Sequence, residues 1–150
     1  MNDLRITYVM YIATTAEKLW KALTSPDVLR NNWGKIESDW TKGSRVTEVD
    51  NSGKVLWKGE VRRSEPPHVL SYTFDVTGSG ETPTEVTFEI GPPVSPIAQG
   101  AQVVQLRITQ LGFEENSQLI AGCARAWPEI LSSIKTYVET GRSLGFAWKH

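Results

Sequence analysis

The stretch Asn116–Gly141, NSQLIAGCARAWPEILSSIKTYVETG, decides the fold. Ile120, Ala124, Trp127, Leu131, Ile134 and Val138 recur at alternating three- and four-residue intervals, the spacing that lines one face of an α-helix. Cys123, Ile130 and Tyr137 widen that stripe. Arg125, Glu129, Ser132, Lys135 and Glu139 make the opposite face too polar for a membrane span. Ser117 is placed to cap the first turn by accepting an orphan backbone N–H. Gly141 is placed just past the last turn, where a left-handed residue costs least. A helix this long exceeds the usual ~11–12 residues and needs a broad apolar partner, for which a sheet is the natural candidate. Pro128 has no N–H for the carbonyl of Ala124, so a bend is expected directly after Trp127.

The rest of the chain supplies that sheet. With 150 residues, 39% hydrophobic and 22% charged, one core is expected and two ordinary domains are not. Residues 1–150 are therefore read as one domain, with 141–150 as a C-terminal tail. A net charge of −1 gives no reason to expect nucleic acid or an anionic membrane as partner. One cysteine, Cys123, cannot form an intramolecular disulfide. The first residues carry Asp3 and Arg5 instead of a signal-peptide core, and no apolar run reaches the ~18 residues of a spanning helix, so a cytoplasmic protein is expected. The six tryptophans favour a core or pocket with polar edges, because each indole buries a large area and needs a partner for its N–H.

Leu4–Ile12 reads as a strand. Thr14 with Glu17 reads as a capping box that opens a short helix with Ala16, Leu19, Trp20 and Leu23 on its apolar face. Ser25 and Pro26 open a second helix that stops near Asn32. Strands are then expected over Ile36–Trp40, Arg45–Val49, Val55–Arg63, His68–Val76, Glu85–Ile90 and Ala101–Gln110. Asp50-Asn51-Ser52-Gly53 is a strong hairpin signal, and Pro92–Gly100 reads as a Pro-rich loop. Six or seven strands without intervening helices predict an antiparallel α+β arrangement.

Gly122–Gly141, read as Gly-x-x-x-x-Trp-Pro-x-Ile-Leu-Ser-Ser-x-Lys-x-x-x-Glu-Thr-Gly, closely resembles the C-terminal signature of one branch of the START-like (SRPBCC, helix-grip) superfamily. That branch is the activator-of-heat-shock-ATPase-like one. Ala16–Thr24, Trp33-Gly34, Ser38-Asp39-Trp40-x-x-Gly43, Gly59-Glu60-Val61, Glu65–Phe74 and Gly112-Phe113 follow the same pattern in the same order. The resemblance implies a helix-grip fold: a curved antiparallel sheet wrapped around a long C-terminal helix, with a cavity between them. It also implies that an inward histidine, common in relatives before the Gly-Phe pair, is replaced here by Gln110. Gln cannot shuttle a proton near neutral pH.

The expected function is binding of a small apolar or aromatic molecule in that cavity. The candidate ligand-binding residues are Trp33, Trp40, Trp57, Tyr72, Phe74, Phe88, Ile108, Gln110, Cys123, Trp127 and Leu131. Gln110, Glu48 and the Tyr72 hydroxyl face inward by strand parity and are the polar points that orient a guest, or else groups paired within the protein. Cys123 reads as a small core residue, because no histidine is placed to activate it. Ser132 and Ser133 are expected to face solvent or to pack between helix and sheet edge. No metal site and no cofactor are expected: His68 and His150 are the two histidines, and no pair has ligand spacing. A second reading is an interaction protein that docks on the heat-shock chaperone, although the activator's additional N-terminal domain finds no room in 150 residues. A cyclase or hydrolase using Tyr72, Gln110 or Glu48 ranks last, because no acid–base pair has suitable spacing. A homodimer is open, and Phe146 and Trp148 of the tail have the domain, a partner subunit or a neighbouring molecule as candidate docking partners.

Overall fold

The computed structural model describes residues 4–94 and 102–144. Its elements run β1 (Leu4–Ile12), α1 (Ala16–Thr24), α2 (Pro26–Asn32), β2 (Lys35–Ser38), β3 (Arg45–Val49), β4 (Val55–Glu65), β5 (Val69–Val76), β6 (Thr84–Val94), β7 (Val103–Phe113) and α3 (Ile120–Thr140). The seven strands form one antiparallel sheet in the order β1-β7-β6-β5-β4-β3-β2. This is the helix-grip fold: a curved sheet, two short helices after the first strand, and a long helix across the concave face. Among the described residues no helix is long and apolar enough to cross a membrane.

Alternation turns one row of the central strands inward, toward α3. Leu70 and Tyr72 of β5, Val86, Phe88 and Ile90 of β6, and Val104, Leu106, Ile108 and Gln110 of β7 are all buried there. From α3 the matching residues are Trp127, Ile130, Leu131 and Ile134, with Cys123, Ala126 and Val138 partly buried beside them. Ala124, expected on that face, is exposed. The buried stripe is rotated by about one position, so Ala126 takes its place, while the helix runs on through Pro128.

Both of the other helix starts expected from hydroxyl caps need correction. Thr15, not Thr14, caps α1, its side chain accepting the Lys18 N–H at 3.1 Å. Ser117 is not the cap of α3. Its hydroxyl donates to Glu81 at 2.6 Å and accepts the Leu119 N–H, while Glu81 also accepts the Gln118 N–H at 2.7 Å. Glu81, reaching over from the β5–β6 loop, holds 117–118 outside the helix, and α3 opens at Ile120 without a side-chain cap. Ser25 and Pro26 begin α2 as expected, and Gly141 ends α3 at φ 84°, its N–H reaching Tyr137 O at 2.7 Å.

Strand ends also shift. β2 stops at Ser38, and Trp40 lies in the following turn with φ 58°. β6 begins at Thr84 and continues through Pro92 and Pro93 to Val94, with a register irregularity between Ile90 and Pro93 that lets prolines enter the ladder. Ser133 packs against α2, not the sheet edge. Its hydroxyl donates to Asn32 at 2.6 Å and accepts the Leu144 N–H at 3.2 Å. Ala101, Phe146 and Trp148 lie outside the described residues.

Candidate functional site

The interior between α3 and the sheet is built largely of aromatic rings from six different segments. Trp33 follows α2, Trp40 sits in the β2–β3 turn, Trp57 is on β4, Tyr72 and Phe74 are on β5, Phe88 is on β6 and Trp127 is on α3. Five of them close a circuit. Trp127 meets Trp33 at 5.2 Å, Trp33 stacks on Trp57 at 6.0 Å and Trp57 stacks on Tyr72 at 5.6 Å. Tyr72 meets Phe88 at 6.1 Å, and Phe88 returns edge-on to Trp127 at 5.8 Å. Phe74 packs on Trp57 at 4.6 Å and Trp40 on Tyr72 at 6.1 Å, flanking the circuit. Pairs of this kind add roughly 0.5–1.5 kcal/mol each beyond the area they bury. Trp33, Trp40 and Phe74 are half-buried; Trp57, Tyr72, Phe88 and Trp127 are buried.

The sequence explains why polar atoms survive here. Indole nitrogens cannot be buried without an acceptor at a cost below a few kcal/mol, and each buried indole has one. Trp57 Nε1 donates to Glu48 Oε1 at 2.7 Å; the two residues face each other across the β3–β4 ladder. Glu48 in turn packs against Gly34, where a Cβ would meet the carboxyl group, so any larger residue there would have to push that group off its place beside Trp57. Trp127 Nε1 donates to Gln110 Oε1 at 2.8 Å, and Gln110 Nε2 donates to Thr84 Oγ1 at 2.9 Å. Gln110 also reaches Cys123, one turn before Trp127 on α3. Burial pushes the Cys123 thiol up, and Gln110 offsets only part of that, so the thiol is protonated and a poor nucleophile.

Tyr72 differs. Its side chain is buried, yet its hydroxyl and Ser71 Oγ are the buried side-chain atoms that find no hydrogen-bond partner among the described residues. Burial pushes the phenol well above its ordinary value of 10.0, and the charge of Glu48 pushes the same way, so the hydroxyl keeps its proton. Ser71 points by parity to the other face of β5.

Trp40 is held in place at a backbone cost. A bulky residue at φ 58° is a genuine outlier, worth of order 1–3 kcal/mol of strain. Its N–H donates to Ser38 Oγ at 2.9 Å and its carbonyl accepts from Ser64 Oγ at 2.7 Å, which together fix the turn so that the indole lies over Tyr72.

Ring contacts thus gather seven of the sequence candidates, a hydrogen bond ties Gln110 to them through Trp127, and Cys123 lies partly buried one turn before Trp127 on α3. Ile108 and Leu131 belong to the same buried core without a polar role. Thr84 and Gly34 were not among the candidates. Thr84 is visible in the alternation Thr84-Val86-Phe88 once β6 is extended by a residue; Gly34 is part of the Trp33-Gly34 piece of the family pattern, which gives no hint of its contact with Glu48. Surface grooves among the described residues lie elsewhere. One of about 450 Å³ is lined by Gly43, Arg45, Lys58 and Thr73 among others. Another, about 390 Å³, lies where Lys18, Lys21 and Val28 face Tyr137 and Gly141. Among the described residues no group of three His, Cys, Asp or Glu side chains is arranged to hold a metal ion.

Comparison with known proteins places this architecture. The family model described as Activator of Hsp90 ATPase homolog 1-like protein matches residues 13–139. A structure from Mesorhizobium loti superposes with a TM-score of 0.73 at 26% identity, covering 89% of this chain and 95% of that one. The Aha1 dimer from Colwellia psychrerythraea superposes with a TM-score of 0.71 at 22% identity, covering 92% and 98%. An HSP90 activator from Plasmodium falciparum gives 0.70 at 17% identity, covering 93% and 97%. Among curated proteins none matches the sequence.

Proposed function

The chain belongs to the Activator of Hsp90 ATPase homolog 1-like family, and on that footing we propose that it binds a small aromatic or apolar molecule between α3 and the concave sheet. The observation that carries this reading is the Tyr72 hydroxyl. It is buried inside a circuit of aromatic rings, where Trp57, Trp127 and Gln110 have all found partners and it has none. Leaving such a group unmet costs about 1–3 kcal/mol, a cost that a guest removes. The rings touch one another, so a guest enters by displacing the half-buried Trp33 and Trp40, the two indoles carried on turns instead of regular elements. The remaining candidates, Ile108, Leu131, Phe74 and Cys123, complete the apolar wall, and Gln110 fixes the Trp127 face. A polar group on an otherwise flat, apolar surface is the usual composition of a small-molecule site.

A thermal-shift panel tests the proposal. A guest at ~100 times its dissociation constant adds about 2.7 kcal/mol to unfolding and raises Tm by several degrees. If lipid, flavonoid and polyketide panels all leave Tm unchanged, the reading fails. Native mass spectrometry of the purified protein gives a second readout, since it weighs any co-purified guest. The same spectrum counts subunits, which bears on whether this chain pairs as the Colwellia Aha1 structure does.

The family description supports a second reading, docking on the Hsp90 chaperone. A pull-down that recovers no chaperone, with its ATPase rate unchanged, removes it.

A further inference from the structure

We propose that the guest is a neutral aromatic compound bearing a carbonyl or comparable acceptor oxygen, and that the Tyr72 hydroxyl donates to that oxygen. This deepens, and rests on, the reading of the interior as a binding site. The inner polar groups divide into those already committed and one that is not. Trp127 Nε1 and the Gln110 amide are committed to each other and to Thr84, and Trp57 Nε1 to Glu48. The Tyr72 proton is the donor left over. A phenol that stays protonated donates one strong hydrogen bond, so its complement is an acceptor.

The surroundings set the rest of the guest's chemistry. Trp57, Phe88 and Trp40 pack around the Tyr72 ring, so a guest that takes the place of a displaced indole meets flat aromatic faces suited to a planar ring system. Glu48 is buried at 5% exposure and accepts from Trp57 Nε1 at 2.7 Å, and the Trp57 ring stacks on Tyr72 at 5.6 Å, so its carboxyl group lies one ring away from the phenol. A second negative charge in that interior meets repulsion little screened by water and loses its own hydration. An anionic guest is therefore selected against, although its oxygens are the better acceptors in isolation. Charge discrimination comes from Glu48 and acceptor recognition from Tyr72, so the two are separable by mutation.

Three matched naphthalenes test this: 2-acetylnaphthalene, 2-ethylnaphthalene and 2-naphthoate, titrated by calorimetry against wild type, Tyr72→Phe and Glu48→Gln. The expected order in wild type is ketone, then ethyl, then carboxylate. The ketone's advantage over the ethyl compound is expected to be roughly fivefold, the value of one neutral hydrogen bond. In Tyr72→Phe that advantage collapses to parity while the ethyl affinity is retained, a pattern that general loss of structure does not produce. In Glu48→Gln, which preserves an acceptor for Trp57, the carboxylate gains on the ketone. Equal ketone and ethyl affinities in wild type overturn the proposal. So does a ketone preference that persists in Tyr72→Phe. Absence of binding by all three, with every variant folded, overturns the binding reading itself.

Discussion

Tyr72→Phe removes a buried hydroxyl that has no partner and leaves the ring contacts intact. Because deleting an unsatisfied group recovers its desolvation cost, the variant is expected to be more stable by about 1–3 kcal/mol, measured by urea unfolding. A loss of stability would show that the hydroxyl is satisfied in solution. Gln110→Leu does the opposite. It strands Trp127 Nε1 and deprives Thr84 of its donor, so a loss of about 2–4 kcal/mol is expected by the same measurement. At this scale the sequence was partly legible. Strand parity put Glu48, Tyr72 and Gln110 inward, and all three are buried. It did not reveal that Trp57 and Glu48 pair, because that depends on the β3–β4 register, and Trp33-Gly34, legible as a motif piece, gave no sign that the glycine makes room for Glu48.

Among the elements, β4 shows most clearly how a glycine is required by a neighbour. A Cβ on Gly59 would lie 1.7 Å from the Thr73 carbonyl oxygen, a backbone atom that cannot swing aside. Nearby, the Thr73 hydroxyl accepts the Glu60 N–H at 2.9 Å. Gly59→Ala is therefore expected to cost at least about 1–3 kcal/mol and to broaden amide signals along β4 and β5. Unchanged stability would mean the strands separate there at no cost. Element identity was the most legible part of the chain, because alternation and helical spacing are set by which residues are apolar. Helix starts were less so. Thr14 and Thr15 are equivalent by composition, and the claim of Ser117 on the cap of α3 was lost to Glu81, distant in sequence. Pro92 and Pro93 read as a loop because a bulge that admits proline to a strand leaves no local mark.

Taken as a whole, the molecule ties its long helix to the sheet through ions at the β1 end. Glu139 accepts the Ala13 N–H at 2.7 Å and pairs with Lys135 at 2.7 Å, whose amine also donates to Tyr11 O at 3.0 Å. Burial works to raise the Glu139 carboxyl, but Ala13 and Lys135 together outweigh it and hold the group below its ordinary 4.5. Asp50, bonded first to the Ser52 side chain, and Glu114, bonded to Thr82, are lowered as well. Since each folded value lies below the unfolded one, their stabilisation is complete above the ordinary carboxylate range and is lost as pH falls through the folded values. Tm is expected to be flat near neutrality and to decline below about pH 4.5, with Glu139→Gln declining less steeply. A Tm that rises on acidification would reverse the sign of this account. The overall architecture was legible from one amphipathic stretch and the order of short motifs; the interior was not, because whether rings lining two surfaces touch depends on curvature that no residue pattern encodes.

The left-handed backbone at Trp40 has a kinetic corollary. A turn under torsion, latched by two serine hydroxyls, would act as a sprung door for the proposed guest: were the indole to swing off Tyr72, the backbone could leave its left-handed conformation and return part of the work of opening. Guest exchange would then be gated by this turn and not by flexing of the sheet. Trp40→Gly, with the tension and the door leaf both removed, should admit and release guests faster in stopped-flow traces, and identical rates in the two proteins would place the entrance elsewhere.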